Sequence, residues 1–116
     1  MSQVEDKNLS EIASVNIDSN GRFKYILIKL VSKNSKQEKY VVRADILDDF
    51  EKNCNVSGID IECVGGGRIL HEPEKKTIFV YGYSLGFGLA DHKISVELLK
   101  EKYSYYVSIT FSNEGY

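Results

Sequence analysis

The stretch Phe23-Lys24-Tyr25-Ile26-Leu27-Ile28-Lys29-Leu30-Val31-Ser32 decides the fold. It is dense in β-branched and aromatic residues, and alternate side chains of a strand point to opposite faces of its sheet. Tyr25, Leu27 and Val31 therefore share one face, and Ile26, Ile28 and Leu30 the other. Both sets are apolar, so this strand belongs inside a sheet that is covered on two sides. Lys24 and Lys29 are the exceptions in the run.

Outward from that strand the chain alternates between turn chemistry and short β-prone runs. Asp18-Ser19-Asn20-Gly21 is a turn, because Asp and Asn bond their own backbone and Gly supplies positive φ. Ala13–Ile17 before it reads as a short strand, and the polar, aperiodic residues 1–12 read as a loose arm ahead of a domain over 13–116. Lys39–Arg43 resumes a strand after a polar connection. Ala44–Asn53 shifts to helical spacing, with Ile46, Leu47 and Phe50 on one stripe and acids near the start that suit the helix dipole. Ile59–Val64 is a strand, followed by Gly65-Gly66-Gly67. Arg68–Glu72 and Thr77–Tyr83 then flank a hairpin loop holding the single proline, Pro73. Ser84–Ala90 is a flexible loop, Ser95–Tyr103 a helix with Ser95 as its N-cap, and Tyr105–Phe111 a final strand whose drier face is Val107, Ile109 and Phe111. About six strands and two helices scattered among hairpins imply an α/β single-domain sandwich with a mixed, largely antiparallel sheet.

Composition narrows the function classes. At 116 residues the chain closes one core. Fifteen Lys+Arg against seventeen Asp+Glu leave a net charge of -2, which gives no global field to draw nucleic acid or acidic lipid. No apolar run approaches the roughly 20 residues of a bilayer span, and the N-terminus lacks the basic start and apolar stretch of a signal peptide. Cys54 and Cys63 are too few for a disulfide scaffold and do not have metal-ligand spacing with His71 and His92. The expectation is a cytosolic monomer with reduced thiols.

Four local features suit an oxyanion. Gly65-Gly66-Gly67-Arg68 leaves consecutive N–H groups uncovered, which suits a concave donor nest beside a guanidinium; the alternative is a plain glycine turn. Ser84, Gly86 and Gly88 offer a hydroxyl and exposed amides after a strand, without the GxGxxG spacing or GK[ST] of a nucleotide site. Lys24 either snorkels at the sheet's end or aims at an anion. His92 is either a proton carrier or a cap before a helix, and His71 reads as a surface residue of the hairpin. No Ser-His-Asp order, Cys-His pair or carboxylate cluster supports other hydrolytic chemistry.

Asp18-Ser-Asn-Gly-Arg-Phe-Lys-Tyr-Ile-Leu-Ile28, Glu62-Cys-Val-Gly-Gly-Gly-Arg-Ile69, Val80-Tyr-Gly-Tyr-Ser84, Asp91-His-Lys-Ile-Ser95 and Asn113-Glu-Gly-Tyr116 together resemble the protein phosphohistidine phosphatases of the Janus/Ocnus family, in the same order along the chain. The resemblance implies a six-stranded mixed sheet with two flanking helices, and cofactor-free hydrolysis of the N–P bond of phosphohistidine in proteins. Phosphohistidine proteins or peptides, and free phosphate or sulfate, are the implied ligands. By position, Lys24 is similar to the family's phosphate-facing lysine and Arg68 to the arginine closing the glycine loop of Gly66 and Gly67. Ser84 and Gly86 fall on the phosphate-binding loop, and His92 on the family's second recurrent histidine.

One departure matters. The family has its base in a His-Ala-Asp step entering the first helix, whereas here Ala44-Asp45-Ile46 follows Arg43, and the stretch Val41–Asp49 looks compressed. Either Arg43 replaces the histidine or the segment bearing it is deleted. Asp45 and His92 are the substitutes to test, and Arg43, if it faces the site, adds a cation near Ala44. Three readings follow: a phosphatase of reduced activity, a phosphohistidine-binding module without cleavage, or an interaction domain whose glycines are only turns.

Overall fold

Gly21–Ser32 forms a twelve-residue strand whose two apolar faces are both buried, as its alternation requires. The structure, a computed structural model, describes residue 9 and residues 12–44 and 58–113. In chain order these form β1 (Val15–Asn16), β2 (Gly21–Ser32), β3 (Glu38–Arg43), β4 (Ile59–Glu72), β5 (Thr77–Tyr81), helix α1 (His92–Lys102) and β6 (Ser108–Phe111). The six strands make one sheet of order β1-β3-β2-β4-β5-β6. Its two outermost pairings, β1 with β3 and β5 with β6, are parallel; the three inner ones are antiparallel. A mixed, largely antiparallel α/β architecture is therefore what the chain adopts.

The faces of β2 divide the core. Tyr25 and Leu27 pack with Ile69, Ile78 and Val80 beneath Val96 and Leu99 of α1. Ile26, Ile28 and Leu30 pack on the other side with Val41, Ile59 and Leu9. Leu9 and the half-buried Ile12 belong to the stretch read as an arm. The Lys39 ammonium ties both down by donating to the Leu9 carbonyl at 2.9 Å and to that of Ile12. The helix expected over Ala44–Asn53, with Asp45, lies outside the described residues beyond Ala44, as do Cys54 and the last three residues. Among the described residues no helix is long and apolar enough to cross a membrane.

Several sequence-based boundaries need correction. The three glycines do not separate two strands: Ile59–Glu72 is one continuous fourteen-residue strand. Its register against β2 slips once, where Leu27 faces Gly65 and Ile28 faces Cys63, which leaves Val64 as the extra residue of a bulge. Helix α1 starts at His92, three residues before Ser95, because the Asp91 side chain accepts from the Lys93 amide at 3.1 Å and caps it. Ser95 is instead buried inside the helix. The closing strand is only Ser108–Phe111, and of its expected dry face only Ile109 is buried; Val107 is 78% exposed. β5 ends at Tyr81 rather than Tyr83.

Glycine inside a long strand normally weakens it, so its presence marks a close approach. A Cβ on Gly67 would sit 2.6 Å from the Tyr81 carbonyl oxygen and 2.8 Å from His92 Cε1, both of them parts of the packed core. Overpacking of this kind costs about 1–3 kcal/mol. Gly67→Ala should lower the urea midpoint accordingly, while Gly86→Ala, whose added Cβ meets nothing within 4 Å, should leave it nearly unchanged; equal midpoints for the two variants would refute the packing argument.

Candidate functional site

The site is built from cross-strand rows on the face of the sheet opposite α1. Directly opposed residues of an antiparallel pair project from the same face, with Cβ atoms about 4.5–5.5 Å apart. Lys24 is opposite Arg68, and Arg68 is in turn opposite Tyr81, so two cations and a phenol form one row. The next row is Arg22, Leu70 and Phe79. Arg22 Nη1 donates to the Tyr81 hydroxyl at 2.8 Å, its guanidinium carbon lies 5.9 Å from that ring's centroid, and the Phe79 and Tyr81 rings stack at 5.2 Å. Lys24 is exposed and has no hydrogen bond or ion pair among the described residues; Arg68 is half-buried.

The row on the other side of Lys24 and Arg68 is Ile26 and Gly66. Here the missing side chain makes room: a Cβ on Gly66 would lie 3.1 Å from Ser84 Cβ. Ser84 therefore rests over the sheet one row from Arg68. It opens a tight turn in which the Gly88 amide donates to the Ser84 carbonyl at 2.8 Å and the Ser84 amide to the Gly88 carbonyl at 3.1 Å. Ser84 Oγ accepts from the Phe87 amide at 3.1 Å, which leaves its hydroxyl hydrogen free to point outward. At the turn's tip the exposed amides of Leu85 and Gly86 donate to no atom among the described residues.

The glycine nest, one of the two readings open for Gly65–Arg68, does not form. The Gly66 amide donates to the Gly88 carbonyl at 3.0 Å, and the Gly66 carbonyl accepts from the Ala90 amide at 3.2 Å. An extended strand with its in-plane groups paired cannot curl into a donor cup. Gly66 and Gly67 contribute space, and the unpaired donors belong to the Ser84–Gly88 turn.

Arg43 and His92 are both engaged elsewhere. Arg43 shares the Lys24 face, paired with Ile26, but is only 5% exposed, and its guanidinium donates to the carbonyls of Val42 at 3.0 Å and Ala13 at 2.7 Å. It binds the chain ahead of β1 to β3. Ala44 continues this seam, its amide donating to the Asn16 carbonyl at 3.1 Å. His92 is 1% exposed. Its Nε2 lies 2.8 Å from the Gly82 carbonyl oxygen, which only accepts, so Nε2 carries the proton. Nδ1 then accepts from the Tyr25 hydroxyl at 2.7 Å, and Tyr25 accepts from Ser95 Oγ at 2.8 Å. The hydrogen bonds run unbroken from Ser95 through Tyr25 and His92 to the Gly82 carbonyl, which makes His92 a brace between helix, sheet and loop. Burial drives the Tyr25 phenol well above its ordinary range.

His71 is a second brace and a correction, since it is buried rather than on the surface. Its Nδ1 donates to the Asp18 carbonyl at 2.9 Å and its Nε2 accepts from the Tyr106 hydroxyl at 2.6 Å. Alternation was the available signal, because His71 stands two residues from the core residue Ile69 on the same strand. Arg22, Phe79 and Tyr81 were missed as neighbours of Lys24 and Arg68 because register across strands is invisible to periodicity along one strand.

These features define a small single-domain α/β protein with a cationic cross-strand row beside a glycine-cleared turn. The model of the Janus/Ocnus family matches residues 9–107, and the chain belongs to that family. It is 42% identical over 122 residues to the "14 kDa phosphohistidine phosphatase" of Sus scrofa, covering 94% of this chain and 96% of that protein. The human protein of the same name is also 42% identical over 122 residues, covering 94% of this chain and 97% of the relative. "Sex-regulated protein janus-A" of Drosophila pseudoobscura pseudoobscura is 43% identical over 126 residues, covering 98% and 84%. These aligned stretches are longer than the chain's 116 residues, so the relatives carry residues that it lacks.

Burial holds the His92 imidazole below its ordinary 6.5, against smaller opposing effects of the Gly82 carbonyl and Asp91. As pH falls, the unfolded chain takes up this proton before the folded one. The stability due to the neutral ring is therefore complete above about pH 6.5 and is lost below it. Urea titrations at several pH values should show the wild type losing stability more steeply than His92→Gln between about pH 6.5 and 5. Parallel slopes would mean that the ring is not held neutral.

Proposed function

We propose that this chain recognises the phosphoryl group of phosphohistidine in a polypeptide on the Lys24–Arg68 face, and hydrolyses its N–P bond slowly, without a cofactor, as a cytosolic monomer. The observation that carries the reading is the direct cross-strand pairing of Lys24 with Arg68, one row from the Ser84 turn. Family membership and the relatives named phosphohistidine phosphatase support it.

In the reaction a water oxygen attacks phosphorus in line, the N–P electron pair returns to the imidazole nitrogen, and a proton from water joins that nitrogen; histidine and phosphate leave. Phosphoryl transfer proceeds through a loose transition state with charge spread over three equatorial oxygens. The Lys24 ammonium, the Arg68 guanidinium, the Ser84 hydroxyl and the Leu85 and Gly86 amides are fixed donors suited to that charge. No described side chain on this face is a base. The two histidines, the only ones in the sequence, are both committed to the core. A positioned base contributes about 10²–10⁴-fold, so a site working with the described groups alone turns over more slowly by that order. The same commitment of both histidines favours the second reading, in which the phosphoryl group is held and not released.

Phosphate release from a phosphohistidyl peptide, measured beside binding of the same peptide, separates the readings. A charge-assisted contact contributes about 1.5–3 kcal/mol. Arg68→Ala and Lys24→Ala should each slow a saturable release by roughly tenfold to a hundredfold on that basis. Saturable binding without release, lost in Arg68→Ala, assigns the chain to the binding class. Neither binding nor release removes the proposal altogether.

A further inference from the structure

The turn beside the cationic row is apolar and open. Leu85 is 81% exposed, Leu89 51%, Phe87 46% and Tyr83 41%, all within one seven-residue stretch, and Phe79 adds 37% from the sheet. Large apolar side chains scattered singly over a surface need no explanation, but a contiguous group beside a site does. The core does not use them, because the turn is already closed by its own Ser84–Gly88 hydrogen bonds and by the Gly66–Gly88 and Ala90–Gly66 bonds to β4. Nor do they help to bind a phosphoryl group, which needs donors. The rest of the surface around them is complementary to an anion: Lys24 and Arg68 stand one row away, and Arg22 one row further.

We propose that this apolar turn is a docking ledge for the polypeptide that bears the phosphohistidine, taking apolar side chains that flank the modified residue. The inference rests on the reading of the Lys24–Arg68 face given above and specifies its substrate class: a protein segment in which the phosphorylated histidine has apolar neighbours, rather than free phosphohistidine or a segment with polar flanks. The charge complement fixes the phosphoryl end, and the ledge decides which chains are retained. Covering Phe87 and Leu89 with a partner side chain should tighten binding roughly tenfold, from the area that these two side chains leave in water.

The test is calorimetric binding of three probes. They are inorganic phosphate, a peptide carrying a triazole phosphonate mimic of phosphohistidine between Leu and Phe, and the same mimic between Ser and Gly. The wild type should bind the apolar peptide about tenfold tighter than the polar one. In Phe87→Ser/Leu89→Ser that preference should vanish while phosphate binding is unchanged, and Phe87→Leu, which keeps an apolar surface, should retain most of it. Equal affinities of wild type for the two peptides, or a preference that survives in the double variant, overturns the ledge. So does a concentration-dependent dimer in sedimentation that the double variant abolishes, because the patch would then be covered by a second copy. Failure of the underlying reading looks different: neither phosphate nor either peptide would bind in a manner sensitive to Arg68→Ala.

Discussion

Three consecutive positions without side chains, in the middle of the longest strand, are what the rest of this molecule is arranged around. A strand buried on both faces ordinarily fills each face with branched side chains. Here Gly66 and Gly67 clear opposite faces at once. On one side the imidazole of His92 and the carbonyl of Tyr81 come to within a distance that even a methyl group would forbid. On the other, Ser84 settles onto the sheet next to Arg68. The cation row and the donor turn therefore owe their adjacency to absent atoms. The helix that follows the turn is aligned by the same clearance, because its first residue is the histidine that occupies it.

Chemically, the two faces of the sheet have opposite characters. The face beneath α1 holds its polar groups in closed chains: Ser95, Tyr25, His92 and the Gly82 carbonyl, and separately Tyr106, His71 and the Asp18 carbonyl. In each, one imidazole nitrogen donates to a backbone oxygen and the other pairs with a phenol, so a turn or loop is pinned to the core. The cations of the candidate site lie on the opposite face. There the guanidinium of Arg43 is spent on the carbonyls of Ala13 and Val42, while Lys24 stays in water. Proximity in sequence to an expected base position says little about what Arg43 does; its burial and partners say that it holds the first strand.

Much of this could be read without coordinates. The alternation in Phe23–Ser32 placed β2 inside the sheet, and its two face assignments match the two clusters that form. The resemblance carried by dispersed motifs pointed to the family that the comparisons show. What failed shares a physical origin. Glycine signals a special backbone requirement without saying whether it is a turn or a close approach, so the sequence suggests a break in β4 where the strand is continuous. Ser95 has the chemistry of a cap, but Asp91, four residues before it, supplies the acceptor. For His71, parity with Ile69 is a better guide to burial than residue type. The neighbours of Lys24 depend on register between strands, and that is set by the bulge at Val64, for which the sequence offers only a glycine next door.

The pairing of each imidazole with a carbonyl and a phenol has a stereochemical consequence. A relay through a protein histidine requires an exposed nitrogen lone pair, and neither ring has one to lend. On the proposed reading, a phosphoryl group displaced by water beside Lys24 and Arg68 passes through a single in-line substitution, not two in succession. A substrate made chiral at phosphorus with oxygen isotopes would thus emerge with its handedness reversed, where a histidine relay would have restored it.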